Sequence, residues 1–147
     1  MTQMRFFLPL LTLTALGSAA LARDYLPRTQ DIVVVERTLN LTGARRHPDG
    51  EGPDLTGILP GGDRIEVDLH HDGTVDRIEA PHHGTMPLGE LVPLLRSDVA
   101  EALYATTALT AGTRLREMEL GDEIALEGPG FTAEFTADGH LKEWKRD

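Results

Sequence analysis

Two pairs of adjacent histidines carry the side chains of this sequence that are best suited to metal chemistry. His70 and His71 stand directly before Asp72, and His82 and His83 follow further along the chain. Imidazole nitrogens combined with a carboxylate suit zinc, copper or nickel. One histidine of each pair, together with an aspartate such as Asp72, is therefore a candidate metal site.

The elements predicted around these histidines oppose a shared site. Adjacent residues on a strand point to opposite faces of the sheet, so a histidine pair seldom chelates one ion. We expect His70-His71 at the tip of a hairpin and His82-His83 at its far end, roughly 20 Å away at the rise of a strand. Exposed loop histidines without a ligand are the alternative interpretation, and no other cofactor is expected.

Hydrolase chemistry lacks a nucleophile in this sequence. Beyond residues 1–22, Ser97 is the only serine, and no G-x-S-x-G elbow surrounds it. Because the chain has no cysteine, thiolate zinc sites, iron–sulfur clusters and a cysteine nucleophile are excluded. The Gly128-Pro129-Gly130 turn does not follow the strand, glycine loop and helix pattern that cradles phosphate. The sequence therefore predicts a protein that is not an enzyme.

The charge of the chain narrows the classes of partner. Its 147 residues include 14 basic and 24 acidic side chains, a formal net charge of -10. This excess of negative charge opposes binding to nucleic acid and to anionic membranes. The sequence leaves the oligomeric state open.

The N-terminus has the pattern of a cleaved export signal. Arg5 supplies a positive charge, residues 6–16 are mainly apolar, and Ala20-Leu21-Ala22 forms a small-x-small cleavage site. The apolar stretch of about eleven residues is shorter than the roughly twenty that span a bilayer. We therefore predict a signal peptide over residues 1–22, cleavage after Ala22, and a periplasmic or secreted single domain over residues 23–147.

The first half of this domain is predicted to be mainly β. The β-branched run over residues 32–41 favours a strand, although a helix over residues 29–39 remains an alternative. Residues 43–53 are predicted as a loop. Apolar and charged residues alternate over 64–69, which indicates a half-buried strand, and residues 74–80 return as its hairpin partner.

The second half combines helices with a β-meander. Residues 86–106 have a helical pattern that Pro93 divides into two short helices, and Asp98 is predicted to cap the second. Glycine turns then separate four strand candidates: residues 115–120, 123–127, 131–136 and 140–144. The predicted class is α+β, an antiparallel sheet with one or two helices packed on one face.

One β-hairpin pattern occurs twice in the chain. A shift of 66 residues lays Asp72-Gly73 over Asp138-Gly139, and the Val75/Ile78 pair over Leu141/Trp144. The three-residue spacing breaks the period of two, so we expect a bulge in each return strand or apolar contacts on both faces. The alignment also places Trp144 in the core. A duplicated hairpin unit explains these matches, and a chance likeness between two hairpins is the alternative.

These features together resemble the PepSY-like families of small exported bacterial domains. The resemblance rests on a helix with an early proline, a strand, and alternation into an Asp-Gly turn: residues 86–105, 114–120 and 131–141. It covers about residues 86–145, with a weaker echo over 55–80, and the leading helix that it implies coincides with the β-branched run. The resemblance implies an α+β fold and a non-catalytic role in binding a protein or peptide partner, as in domains that associate with or inhibit peptidases. It assigns no functional residue.

Overall fold

A computed structural model describes residues 32–47 and 52–147 of the chain. The predicted signal peptide over residues 1–22 lies outside the described residues. Among the described residues, no helix is both long enough and apolar enough to cross a membrane.

Eight strands form one antiparallel sheet across the described part of the chain. They are β1 (Thr42–Arg46), β2 (Leu55–Ile58), β3 (Arg64–Leu69), β4 (Val75–Glu79), β7 (Glu117–Leu120), β8 (Ile124–Gly128), β9 (Phe131–Phe135) and β10 (Leu141–Arg146), in that spatial order. Between β4 and β7 the chain leaves this sheet and forms a separate ladder of β5 (Met86–Pro87) with β6 (Arg114–Leu115). It then returns so that β7 pairs directly with β4.

The helices supply one layer against one face of the sheet. They are α1 (Ile32–Thr38), α2 (Leu88–Leu91), a 3₁₀ turn (Val92–Leu94) and α3 (Ser97–Ala105). Their buried side chains belong to the same apolar cluster as the inward residues of the strands. The predicted α+β class, an antiparallel sheet with helices on one face, is confirmed.

The other face of the sheet is not covered by any described element of the chain, and we call it the open face. In β3, Ile65 and Val67 are buried, whereas Glu66 and Asp68 point away from the helices and are only partly covered. The same alternation in β8 buries Ile124 and leaves Glu127 exposed. Because side chains of a strand alternate between faces, the outward residues of all strands share one surface.

Two sequence predictions about the first elements are wrong. Residues 32–38 form helix α1 rather than a strand, because Val35 and Leu39, four residues apart, are both buried against the core (0% and 2% exposed). Residues 43–46, at the start of the stretch predicted as a loop, belong to strand β1. Helix propensities differ by less than about 1 kcal/mol per residue, so the burial of two large side chains outweighs the β-branched composition.

The start of α3 also differs from its prediction. The division of residues 86–106 into two short helical segments is confirmed, with Pro93 inside the 3₁₀ turn. However, the helix begins at Ser97 without a side-chain cap, and Asp98 lies in its first turn, 2.7 Å from Arg96. This ion pair holds the pKa of the exposed Asp98 carboxyl below its ordinary value, chiefly through the hydrogen bond from Arg96.

Candidate functional site

The first histidine pair lies at the tip of the β3–β4 hairpin. His70 is half-buried, and its Nε2 atom is 2.7 Å from the carbonyl oxygen of Leu120 and 3.6 Å from Asp76. His71 is exposed at the tip. The contact with Leu120 joins the hairpin to the end of β7, so His70 has a structural partner.

The second pair lies beyond the opposite end of β4. His82 and His83 are exposed, and both have left-handed backbone angles, with φ of 56° and 60°. The two pairs are therefore separated by the length of β4. Within residues 32–47 and 52–147, no group of three or more histidine and acidic side chains could hold a metal ion. Metal binding by His70, His71, His82 and His83 stays a prediction without support from this arrangement.

Ser97 has neighbours that already neutralise each other. It is exposed at the start of α3, between Arg96 and Asp98, whose side chains pair at 2.7 Å. A general base must reach the hydroxyl proton of a nucleophile. The carboxylate beside Ser97 is instead held by an arginine, so this arrangement gives the serine no activation.

A row of four glutamates crosses the open face of the sheet. Glu66 on β3 is directly opposite Glu79 on β4, which is opposite Glu117 on β7, which is opposite Glu127 on β8. Directly opposed residues of antiparallel strands have Cβ atoms about 4.5 to 5.5 Å apart. We call these four residues the glutamate row.

A second row beside it is also mainly acidic. In order across the sheet it contains Asp68, Arg77, Glu119, Ala125, Glu134 and Glu143. The side chain of Arg77 reaches from the second row to the glutamate row. It lies 3.0 Å from Asp68, 3.4 Å from Glu117 and 3.8 Å from Glu79. The hydrogen bond to Asp68 and the nearby carboxylates raise the pKa of Arg77, so the guanidinium stays charged. One arginine thus faces a much larger number of carboxylates.

The negative charge of Glu117, within the glutamate row, is costly to the folded protein. Burial raises the pKa of the Glu117 carboxyl above its ordinary value, and repulsion from Glu119, Glu127 and Glu79 raises it further. Only Arg77 acts in the opposite direction. The raised pKa shows that the folded protein holds this carboxylate in a less favourable environment than water does.

A shallow groove of about 280 Å³ lies on the open face where the second row has its smallest side chain. Ala125 and Thr132 lie in the groove, and five carboxylates line it: Glu117, Glu119, Glu127, Glu134 and Glu143. Lys145 stands at its β10 end, opposite Thr132. The open face therefore combines a depression for a side chain with walls that carry negative charge.

Sequence patterns reveal only part of this surface. The outward positions of Glu66, Asp68 and Glu79 follow from the alternation in β3 and β4. Glu117 and Glu127 show the same alternation, yet their place beside Glu79 depends on the pairing of β4 with β7 across the helical segment. That pairing joins residues about forty positions apart, and local spacing does not specify it.

Comparison with known proteins finds no match among family models, curated proteins or solved structures. The function proposed for this chain therefore rests on the open face, with its two acidic rows and shallow groove.

Proposed function

We propose that this chain is an exported, non-catalytic PepSY-like domain that binds a basic segment of a protein or peptide on the open face of its sheet. The signal-peptide pattern supports export to the periplasm or the exterior. Helix α1 ahead of the sheet supports the PepSY-like resemblance, because that resemblance implies a leading helix at this place. The proposal assigns binding to the glutamate row and the groove beside it.

The observation that carries the proposal is the direct opposition of like charges. Identical charges on directly opposed residues of neighbouring strands destabilise a sheet. The glutamate row contains three such contacts in succession. Arg77 offsets this repulsion only in part, since it approaches two of the four glutamates. A sequence that departs from a local stability rule commonly does so at a functional site.

A solvated face that only guards against aggregation does not require this arrangement. Mixed charges keep a sheet soluble equally well and avoid the repulsion. Lysine and arginine side chains of a partner would remove the repulsion, because each one placed between two carboxylates replaces a like-charge contact with two attractive ones. Association should then be fast and salt-dependent, since steering by a surface potential weakens as ions screen it.

Binding of an acetylated and amidated peptide of six lysines, measured by calorimetry at low salt, tests this proposal. The double variant Glu117→Gln with Glu127→Gln removes the charges of the last two residues of the row, at its β8 end. We expect it to bind the peptide about three- to tenfold more weakly than the native domain, as expected for two lost sets of exposed charge contacts.

The matched control is Glu101→Gln with Asp122→Asn, which removes the same net charge from exposed positions outside the two rows. We expect the control variant to bind like the native domain. Equal weakening by both double variants would mean that only net charge attracts the peptide, and the open face would then not be the binding surface.

A further inference from the structure

A second groove, of about 520 Å³, lies on the same face at the β1 end of the sheet. Its volume falls within the usual range for small-ligand sites. The side chains around it have a mixed character, with an isoleucine, a threonine and four basic residues: Arg45, His47, Thr56, Ile58, Arg64 and His82. This groove shares only Glu66 with the binding surface proposed above.

Two arginines of this groove have no carboxylate partner within the described residues. Arg45 on β1 and Arg64 on β3 are exposed, and their strands flank β2. Arg45 is directly opposite Thr56, and Arg64 is directly opposite Ile58. Four other arginines each pair with a carboxylate within 3.0 Å: Arg46 with Glu36, Arg77 with Asp68, Arg96 with Asp98, and Arg114 with Asp63. In a chain rich in acidic residues, two free guanidinium groups beside one groove are available for an external anion.

The groove also has an apolar part. Ile58 is half-buried on the outward side of β2, directly opposite Arg64 on β3 and Thr42 on β1. A register shift between Thr42 and Arg45 marks an irregularity in β1. At the other side, Nε2 of His47 lies 3.2 Å from the Thr56 hydroxyl. The groove therefore offers oxyanion-binding side chains next to a surface that fits an apolar group.

A C-terminal residue fits both parts of the groove at once. Its carboxylate can bind bidentately to a guanidinium, which is the geometry that arginine recognises best. Its own side chain begins at the adjacent atom, so an apolar one lies over Ile58. An aspartate or glutamate side chain supplies the carboxylate without an apolar group beside it.

The groove is continuous with the glutamate row through Glu66, which lines the groove and begins the row. Neighbouring strands lie about 4.8 Å apart, so Glu117 and Glu127 stand about 14 to 19 Å from β2. This separation corresponds to about four to six extended residues. A peptide with its C-terminus in the groove would place residues at that distance over the row.

We propose that Arg45 and Arg64 bind the free C-terminal carboxylate of the partner segment, with an apolar last residue on Ile58 and basic residues about four to six positions before it over the glutamate row. This inference rests on the proposed function and fixes the direction and end of the segment. Glu66 stands at the inner end of the groove, and it repels the carboxylate from the row and towards the two arginines.

Two forms of one synthetic peptide test the inference. The peptide has an acetylated N-terminus, three lysines, three neutral spacer residues and a C-terminal leucine, and it ends either in a free acid or in an amide. Amidation removes a negative charge, so the acidic domain as a whole should favour the amide. If the arginines bind the carboxylate, the free acid binds about tenfold more tightly than the amide, because charge-assisted hydrogen bonds outweigh the general repulsion.

Variants of the domain assign that preference to the groove. In Arg45→Gln with Arg64→Gln we expect the preference for the free acid to disappear. The control Arg37→Gln with Arg146→Gln loses the same positive charge at exposed positions outside the groove and should keep it. Equal binding of acid and amide by the native domain, or an unchanged preference in the Arg45/Arg64 variant, would overturn this inference alone. Failure of both peptides to bind would overturn the proposed function as well.

Discussion

At the scale of single residues, two stacked aromatic rings pack beside a glycine at the β8–β10 side of the sheet. The rings of Phe131 and Trp144 stack with centroids 4.7 Å apart and planes 6° from parallel. Both side chains are partly buried against the core, as the hairpin alignment predicts for Trp144. Gly128, directly opposite Phe131, leaves the space that the Phe131 ring occupies.

Gly128→Ala should therefore destabilise the fold. A Cβ atom at this position would lie 2.1 Å from the Phe131 ring and 2.7 Å from the carbonyl oxygen of Arg114. Overfilling of a packed site costs about 1 to 3 kcal/mol, which urea denaturation measures as a lower midpoint. Gly121→Ala is the control, since nothing lies within 4 Å of its Cβ position, and it should leave the midpoint nearly unchanged. Equal midpoints for the two variants would contradict this account of Phe131.

At the scale of elements, the two Asp-Gly hairpins have the same backbone geometry. In the first, the His70 amide donates to the Thr74 carbonyl and the Gly73 amide donates to the His70 carbonyl. The second repeats both bonds 66 residues later, from Thr136 to His140 and from Gly139 to Thr136. Each return strand has a register shift in the same place. The bulges predicted from the three-residue spacing are confirmed.

The turn of the second hairpin packs against α3. The turn glycine of the second hairpin, Gly139, is buried with a φ of 90°, and a Cβ there would lie 2.6 Å from the Val99 carbonyl oxygen on α3. Gly139→Ala should therefore lose stability through both the left-handed backbone and the contact with α3. Gly130→Ala, with a φ of 85° and open space, pays the backbone cost alone. We expect the free energy of unfolding, measured by urea denaturation, to be lower for Gly139→Ala than for Gly130→Ala by about 1 kcal/mol or more. Equal free energies would show that the turn does not contact α3 closely.

Local patterns predicted the elements whose own residues determine their environment. The alternation in β3 and the glycine turns between β7 and β10 identify strands without tertiary information. Local patterns do not predict helix α1, because its β-branched residues favour a strand. The helix is explained by the burial of Val35 and Leu39 at helical spacing, which is a tertiary contact. Strand β1 is also not predictable from local patterns, since its sequence is polar and it forms a strand by pairing with β2.

At the scale of the whole molecule, strand order creates the candidate site. Glu66 and Glu79 become neighbours within one hairpin, which the sequence shows directly. Glu117 joins them only because β7 returns beside β4 after the helices. The arginine groove depends in the same way on β1 and β3 flanking β2. Sequence patterns thus revealed single outward charges, and the three-dimensional pairing turned them into a row and a groove.

The concentration of carboxylates on one face should make the stability of the domain depend on pH through Glu117. The pKa of this carboxyl is raised above its ordinary value of about 4.5 by burial and by Glu119, Glu127 and Glu79, with Arg77 opposing. A raised pKa in the folded state means that protonation favours folding. The stabilisation is complete below about pH 4.5 and is lost as the pH rises through the folded pKa.

Thermal unfolding of the native domain and of Glu117→Gln, from about pH 4.5 to about pH 7.5, measures this effect. The glutamine keeps the size of the side chain and carries no charge, so the variant should gain stability over the native domain as the pH rises. Arg77 keeps its partner Asp68 in both proteins. The exposed Asp98 has a lowered pKa, so its contribution is lost only as the pH falls towards and below its ordinary value of about 3.8, outside this window.

Glu101→Gln on α3 is the control, and its midpoint should run parallel to the native one. A constant difference between Glu117→Gln and the native domain at every pH would show that the row imposes no electrostatic cost, and it would remove the main support for a basic partner.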